Sequence, residues 1–179
     1  MMTLPASWIN SLTLLLSRYQ KDNRFRLPRT CFVGIGSDLR GDDSVGLVVA
    51  RALLHHFHAN DLLVVDGGPA PENVTGQLRV FRPELVILID AAHMDEPPGT
   101  IQWIPLDSID GMSASSHSLP LSMLASYLTM ELACDVAVLG IQPAQNELGS
   151  ELTPPVQKAA SEILMELRKH FLHNPQKFN

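Results

Sequence analysis

The chain has 179 residues; at about 150 residues per domain that is one domain, long enough to bury a core without disulfide or metal staples. Its residues are 45% hydrophobic and 18% charged, which excludes a disordered tail, a coiled coil and a collagen-like chain. Thirteen Lys and Arg against nineteen Asp and Glu leave a net charge of −6 with no basic run, a poor match to nucleic acid or an anionic membrane surface.

Leu12, Leu15, Leu16 and Tyr19 fall at helical spacing and predict an amphipathic helix near residues 7–20, docked on the domain or on a partner. It does not read as a signal peptide, because no basic segment precedes it and Arg18 and Lys21 follow it. No stretch reaches the roughly 18 apolar residues that a membrane span requires. Residues 31–35 (CFVGI) form a first strand, and Val45, Val48, Val49, Ala52 and Leu53 a second helix to about residue 57. Leu62–Val65 is a second strand closed by Asp66-Gly67-Gly68-Pro69, and Pro71 opens a third helix running to about Val80. Leu85–Ile89 is wholly apolar, as a central parallel strand should be. Ile101–Ile104 is a fourth strand, Leu119–Leu132 a helix, Val136–Ile141 a fifth strand, and Thr153-Pro154-Pro155 opens a last helix through Phe171.

This alternation predicts an α/β fold: a three-layer αβα sandwich around a mostly parallel sheet of about five strands. The connection between strands three and four, Ala91–Thr100, is too short for a parallel crossover, so strand four is expected to run antiparallel. The expected division is a helical extension over residues 1–29 and one α/β domain over residues 30–179. Cys31 and Cys134 form no CxxC and read as buried thiols of a reduced, cytoplasmic protein.

With strands ordered 2-1-3, the ligand crevice lies at the carboxyl ends of strands one and three. Strand one runs into Gly34-Ile35-Gly36-Ser37-Asp38-Leu39-Arg40-Gly41-Asp42-Asp43, and strand three ends in Ile89-Asp90. Gly34-x-Gly36 is only the start of a nucleotide loop, since Leu39 stands where a third glycine would be, and three loop aspartates would repel phosphate. Asp42 or Asp43 reads either as a helix N-cap or as a ligand. Asp90, at the mouth of a buried strand, reads either as a backbone acceptor or as a cation ligand. His117, in the loop ahead of the fourth helix, is by itself unremarked; two carboxylates and one imidazole from three strand-end loops make a plausible transition-metal site. His55, His56 and His58 read as a solvated end of helix two. HExxH, GxSxG and the P-loop are all absent.

Five motifs occur in order: Gly34-x-Gly36 with Asp42-Asp43-x-x-Gly46, Asp66-Gly67-Gly68-x-Ala70-Pro71-Glu72-Asn73, Ile89-Asp90-Ala91, His117-x-x-Pro120-Leu121, and Leu139-Gly140-Ile141-Gln142-Pro143. Together they resemble the nickel–iron hydrogenase maturation endopeptidases, of the hydrogenase-3 type, over about residues 30–170. One departure is Ser37, where the family loop commonly carries asparagine.

The resemblance implies an aspartyl-type endopeptidase. It would remove the C-terminal extension of a hydrogenase large-subunit precursor after nickel insertion. Asp43, Asp90 and His117 match the positions that bind metal in that family, with nickel carried by the substrate and zinc or cadmium able to substitute. Ser37, Asp42 and Asp66 would support them or touch substrate, and Asp42→Asn is expected to be milder than loss of a ligand. The implied partner is the precursor's C-terminal region; a monomer without a membrane span or nucleic-acid partner is expected. Two other readings stay open: an S-adenosylmethionine-dependent methyltransferase, with Asp66 on the ribose, and a nickel-binding chaperone that cuts nothing.

Overall fold

The computed structural model describes residues 7–19, 26–57, 59–112 and 119–172. Five strands, β1 (Thr30–Ile35), β2 (Leu62–Gly68), β3 (Leu85–Ala91), β4 (Ile101–Ile104) and β5 (Asp135–Ile141), form one sheet in the order β2-β1-β3-β5-β4. The pairings β2–β1, β1–β3 and β3–β5 are parallel, and β4 runs antiparallel to β5 at the edge. The short β3–β4 connection therefore does what its length dictates: it returns the chain on the far side of β5 without a crossover helix.

Strand alternation sorts the side chains into two cores. Phe32, Ile87, Ile89 and Leu139 face one side, where α1 (Trp8–Ser17), α2 (Val45–Leu54) and α5 (Pro154–Leu172) bury Leu12, Val49 and Ile163. Val33, Val86, Leu88 and Val138 face the other, under α3 (Thr75–Phe81) and α4 (Leu121–Leu132), which supply Leu78, Leu124 and Leu128. β3 is buried along its whole length, as the apolar run Leu85–Ile89 requires of a central strand, and the burial extends to Asp90. Phe32 meets Phe171 edge-on at 5.0 Å between centroids, tying the sheet to the last helix.

The N-terminal helix docks on its own domain. Trp8, Leu12 and Leu16 are buried in the first core, Trp8 Nε1 donates to Glu162 Oε1 at 2.8 Å, and Trp103 Nε1 of β4 donates to the Trp8 carbonyl at 2.8 Å. Helix ends differ from expectation in small ways. α2 stops at Leu54 rather than near residue 57, with His55 exposed as its C-cap and His56 half-buried; His58 lies outside the described residues. The turn opened by Pro71 is a 3-10 turn, Pro71–Val74, that runs into α3. Cys31 and Cys134 are both buried free thiols, as expected. Among the described residues no helix is long and apolar enough to cross a membrane.

Two glycines set how α2 meets the sheet. A β-carbon on Gly46 would overlap the carbonyl oxygens of Ile35 and Ile89, and one on Gly34 would overlap the Gly46 carbonyl. Helix and strands touch backbone to backbone here. Gly46→Ala should lower stability by about 3 kcal/mol or prevent folding. Gly76→Ala, on an exposed helical position with nothing within 4 Å of the new carbon, should raise it by about 0.5 kcal/mol. Urea melts of the two variants check the pair.

Candidate active site

β1 leaves the sheet at Ile35, and residues 36–40 carry the chain to a single 3-10 turn, Gly41–Ser44, that continues directly into α2. This acidic turn packs against β3, whose carboxyl end carries Asp90. The order 2-1-3 thus places the turn and the end of β3 at the sheet's switch point. Asp42, Asp43 and Asp90 are all buried, each at most 1% exposed. Three carboxylates held out of water at one end of one sheet are costly, and a fold keeps such groups where they bind backbone, a cation or a reacting atom.

Asp42 is accounted for by backbone. Its Oδ2 accepts from Ala144 N at 2.8 Å, Gln145 N at 3.2 Å and Thr153 Oγ1 at 2.9 Å; its Oδ1 accepts from Thr153 N at 2.7 Å. Neither the acidic turn nor α2 has a side-chain cap from its N-cap residue, because the 3-10 turn already supplies the helical turn preceding Val45. The capping alternative for Asp42 and Asp43 is therefore replaced: Asp42 fastens the turn to the β5–α5 loop, and Asp43 sits inside a helical turn rather than at its open end. The Asp43 carbonyl lies against Gly36, at a distance only glycine permits.

Asp90 follows Ile89 on β3, opposite Gly140 of β5, and alternation puts it on the sheet face shared with Leu88 and α4. His117 belongs to the stretch ahead of α4 but lies outside the described residues, so the three expected ligands are represented by two. Among the described residues no three His, Cys, Asp or Glu side chains are gathered as a metal cluster.

The remaining expected residues stand further out. Ser37 is half-buried and its Oγ accepts from Leu39 N at 3.4 Å, a local turn contact. Asp66, at the end of β2, accepts from Arg51 Nε at 2.7 Å and from Gly68 N at 3.1 Å. Arg51 also grips Asp38 through both carboxylate oxygens, at 2.6 and 2.8 Å. One guanidinium thus ties the β1 loop to the end of β2. It holds the Asp38 carboxyl below the usual carboxylate range, against the opposing effect of burial. With its carboxylate taken by Arg51, Asp66 is not presented to a ribose, and the methyltransferase reading loses the residue it relied on.

A family described as hydrogenase maturation protease matches residues 47–170. The chain belongs to the hydrogenase maturation protease family. The hydrogenase 3 maturation protease of Escherichia coli K12 is 32% identical over 134 residues, 74% of this chain and 85% of its own length. The crystal structure of the nickel–iron hydrogenase maturation protease HycI from Thermococcus kodakarensis superposes with a TM-score of 0.73 at 33% identity, covering 82% of this chain and 93% of that one. The solution structure of the endopeptidase HycI from Escherichia coli gives 0.69 at 29% identity, covering 78% and 90%. The chain is therefore a peptidase built on this five-stranded, mostly parallel sheet.

Gln142 and Thr153 were not singled out from sequence as parts of the site. Gln142 Oε1 accepts from Met94 N at 2.7 Å and fixes the loop after Asp90; its position directly after an apolar strand, in Gln142-Pro143, was the available signal. Thr153 read as the start of a helix, and its contact with Asp42 spans 111 residues, beyond any local pattern. The stability cost of Asp42→Asn is a separate matter from its expected mild effect on cleavage. Whichever way the new amide is turned, its NH2 faces at least one backbone N–H, that of Thr153 or those of Ala144 and Gln145, so Asp42→Asn should cost about 2 kcal/mol in a urea melt. Arg51→Met should do the opposite: stability changes by less than about 1 kcal/mol, because the pair is half exposed. The Asp38 pKa, followed by NMR, should rise toward its ordinary value. Because its folded value is depressed, the stability due to this pair is present above about pH 4 and lost as pH falls through that depressed value.

Proposed function

We propose that the enzyme removes the C-terminal extension of a nickel–iron hydrogenase large-subunit precursor after nickel has been inserted. Asp43, Asp90 and His117 would meet the nickel that the precursor carries. The observation that carries this reading is the pair of buried carboxylates at one end of the sheet: Asp90 on β3 itself, and Asp43 on the turn ahead of a helix that touches the backbone of β1 and β3. A carboxylate withdrawn from water attracts a divalent cation more strongly than one on the surface. Two carboxylates and an imidazole suit nickel, and equally zinc or cadmium as substitutes. Three protein ligands also leave positions open for the precursor's own groups and for water. Recognition of the loaded metal would thus check maturation before the peptide is cut.

The supporting residues divide the remaining work. Asp66 and Asp38 hold the β1 loop through Arg51, and Ser37 shapes its first turn. Leu39 and Leu148 stand exposed on two loops joined by the bond from Gly149 N to the Leu39 carbonyl at 2.8 Å, and offer apolar contact to a peptide. The buried free thiols Cys31 and Cys134 fit work in the reducing cytoplasm.

Asp90→Asn keeps size and most hydrogen-bonding capacity while removing the charge. Incubated with nickel-loaded precursor and followed by mass spectrometry, it should fold, losing roughly 1–2 kcal/mol, yet release no C-terminal peptide. Asp43→Asn and His117→Ala should fail in the same way, and their effects should not add. Casein should remain intact with wild-type enzyme. Near wild-type processing by folded Asp90→Asn would refute the assignment. A wild-type protein that binds nickel but cleaves nothing would leave the chaperone reading in its place.

A further inference from the structure

Asp42 spends its charge on a different element from its neighbour. Asp43 lies on the acidic turn at the switch point, whereas the Asp42 carboxylate accepts all four of its bonds from the loop between β5 and α5. The attachment is double, since Asp42 N also donates to the Gln145 carbonyl at 3.2 Å. It is also close: Gly41 lies against Ser150 Oγ, where a β-carbon would overlap that oxygen. Thr153 contributes both its N–H and its hydroxyl, and its carbonyl accepts from Gln157 N at 2.9 Å to begin α5. The acidic turn is therefore bolted to the first turn of a 19-residue helix that runs the length of the core.

We propose that Asp42 and Thr153 are positioning residues: through their shared hydrogen bonds the β5–α5 loop sets the backbone of the acidic turn, and with it the place of the Asp43 carboxylate. The inference rests on the proteolytic reading above for its consequence in catalysis, but the mechanical coupling stands on the bonds themselves. Two consecutive residues cannot move independently inside one 3-10 turn. A change in the four bonds to Asp42 therefore turns the peptide plane that precedes Asp43. Displacing a reacting group by even a fraction of a bond length lowers turnover more than it lowers substrate affinity.

Thr153→Val tests this with least damage, because it removes one hydroxyl donor, keeps the backbone N–H donor and preserves the side chain's shape. Thr153→Ser restores the hydroxyl. With nickel-loaded precursor, Thr153→Val should lower kcat by about tenfold while KM stays within about twofold, and Thr153→Ser should recover most of the loss. Amide hydrogen exchange should rise together at residues 42–44 and 144–145 in Thr153→Val. Wild-type kcat in Thr153→Val would overturn the proposal, as would a loss of activity that only follows the unfolded fraction. Unchanged exchange in the acidic turn would also overturn it. Should wild-type enzyme cleave no precursor, the functional reading fails separately, and the exchange measurement alone decides the coupling.

Discussion

Gly46 brings the first turn of α2 against the carbonyl oxygens of Ile35 and Ile89, a contact that leaves no room for a side chain. An ordinary helix rests on a sheet through its side chains and stands off accordingly. By removing the β-carbon, the chain lowers the start of α2 onto the ends of β1 and β3. The 3-10 turn ahead of α2 then lies at the strand ends rather than above them, and Asp43 arrives beside the strand that carries Asp90. Gly34 makes the complementary approach from β1. The apolar run Leu85–Ile89 of β3 supplies the rigid base, since its burial on both faces fixes Asp90 at the carboxyl end of the central strand.

The five aspartates around this site are not equivalent, and their surroundings separate them. Asp38 and Asp66 are exposed and share Arg51, so their negative charge is balanced locally. Asp42 is buried and its charge is spread over backbone N–H groups of the β5–α5 loop. Asp43 and Asp90 are buried at the switch point itself. Asp42 shares their burial, and the turn with Asp43, but its carboxylate is taken up by the β5–α5 loop; the place at which open α/β sheets bind ligands is left to Asp43 and Asp90. That distinction, rather than the number of acidic residues, is why the proposed function gives the metal-meeting role to Asp43 and Asp90.

Much of this architecture is legible in the amino-acid sequence. The apolar runs 31–35 and 85–89 could only be strands of a covered sheet, and the ten residues of Ala91–Thr100 were too few for a crossover, which settled the direction of β4. The glycine spacing around Asp42-Asp43 marked the loop as special, though not that Gly46 serves a backbone contact with two strands at once. What stayed hidden was non-local. Nothing near Asp42 in sequence announces that its partners lie more than 100 residues away, at Ala144, Gln145 and Thr153. Nor does local pattern distinguish an aspartate at an open helix end from one inside a preceding 3-10 turn, the difference that overturned capping. The N-terminal helix was legible as amphipathic, but its burial against β4 and α5 depends on Trp8, Trp103 and Glu162 meeting across the fold.

If the buried carboxylates respond to metal brought by the substrate, as proposed, cleavage is the most direct readout. Wild-type enzyme would be given the same large-subunit precursor in two forms, nickel-loaded and nickel-free, and the products weighed by mass spectrometry. A C-terminal peptide should be released from the loaded precursor and none from the nickel-free form. Equal cleavage of both forms would contradict the proposal, because the aspartates would then be acting on the peptide without reading the metal.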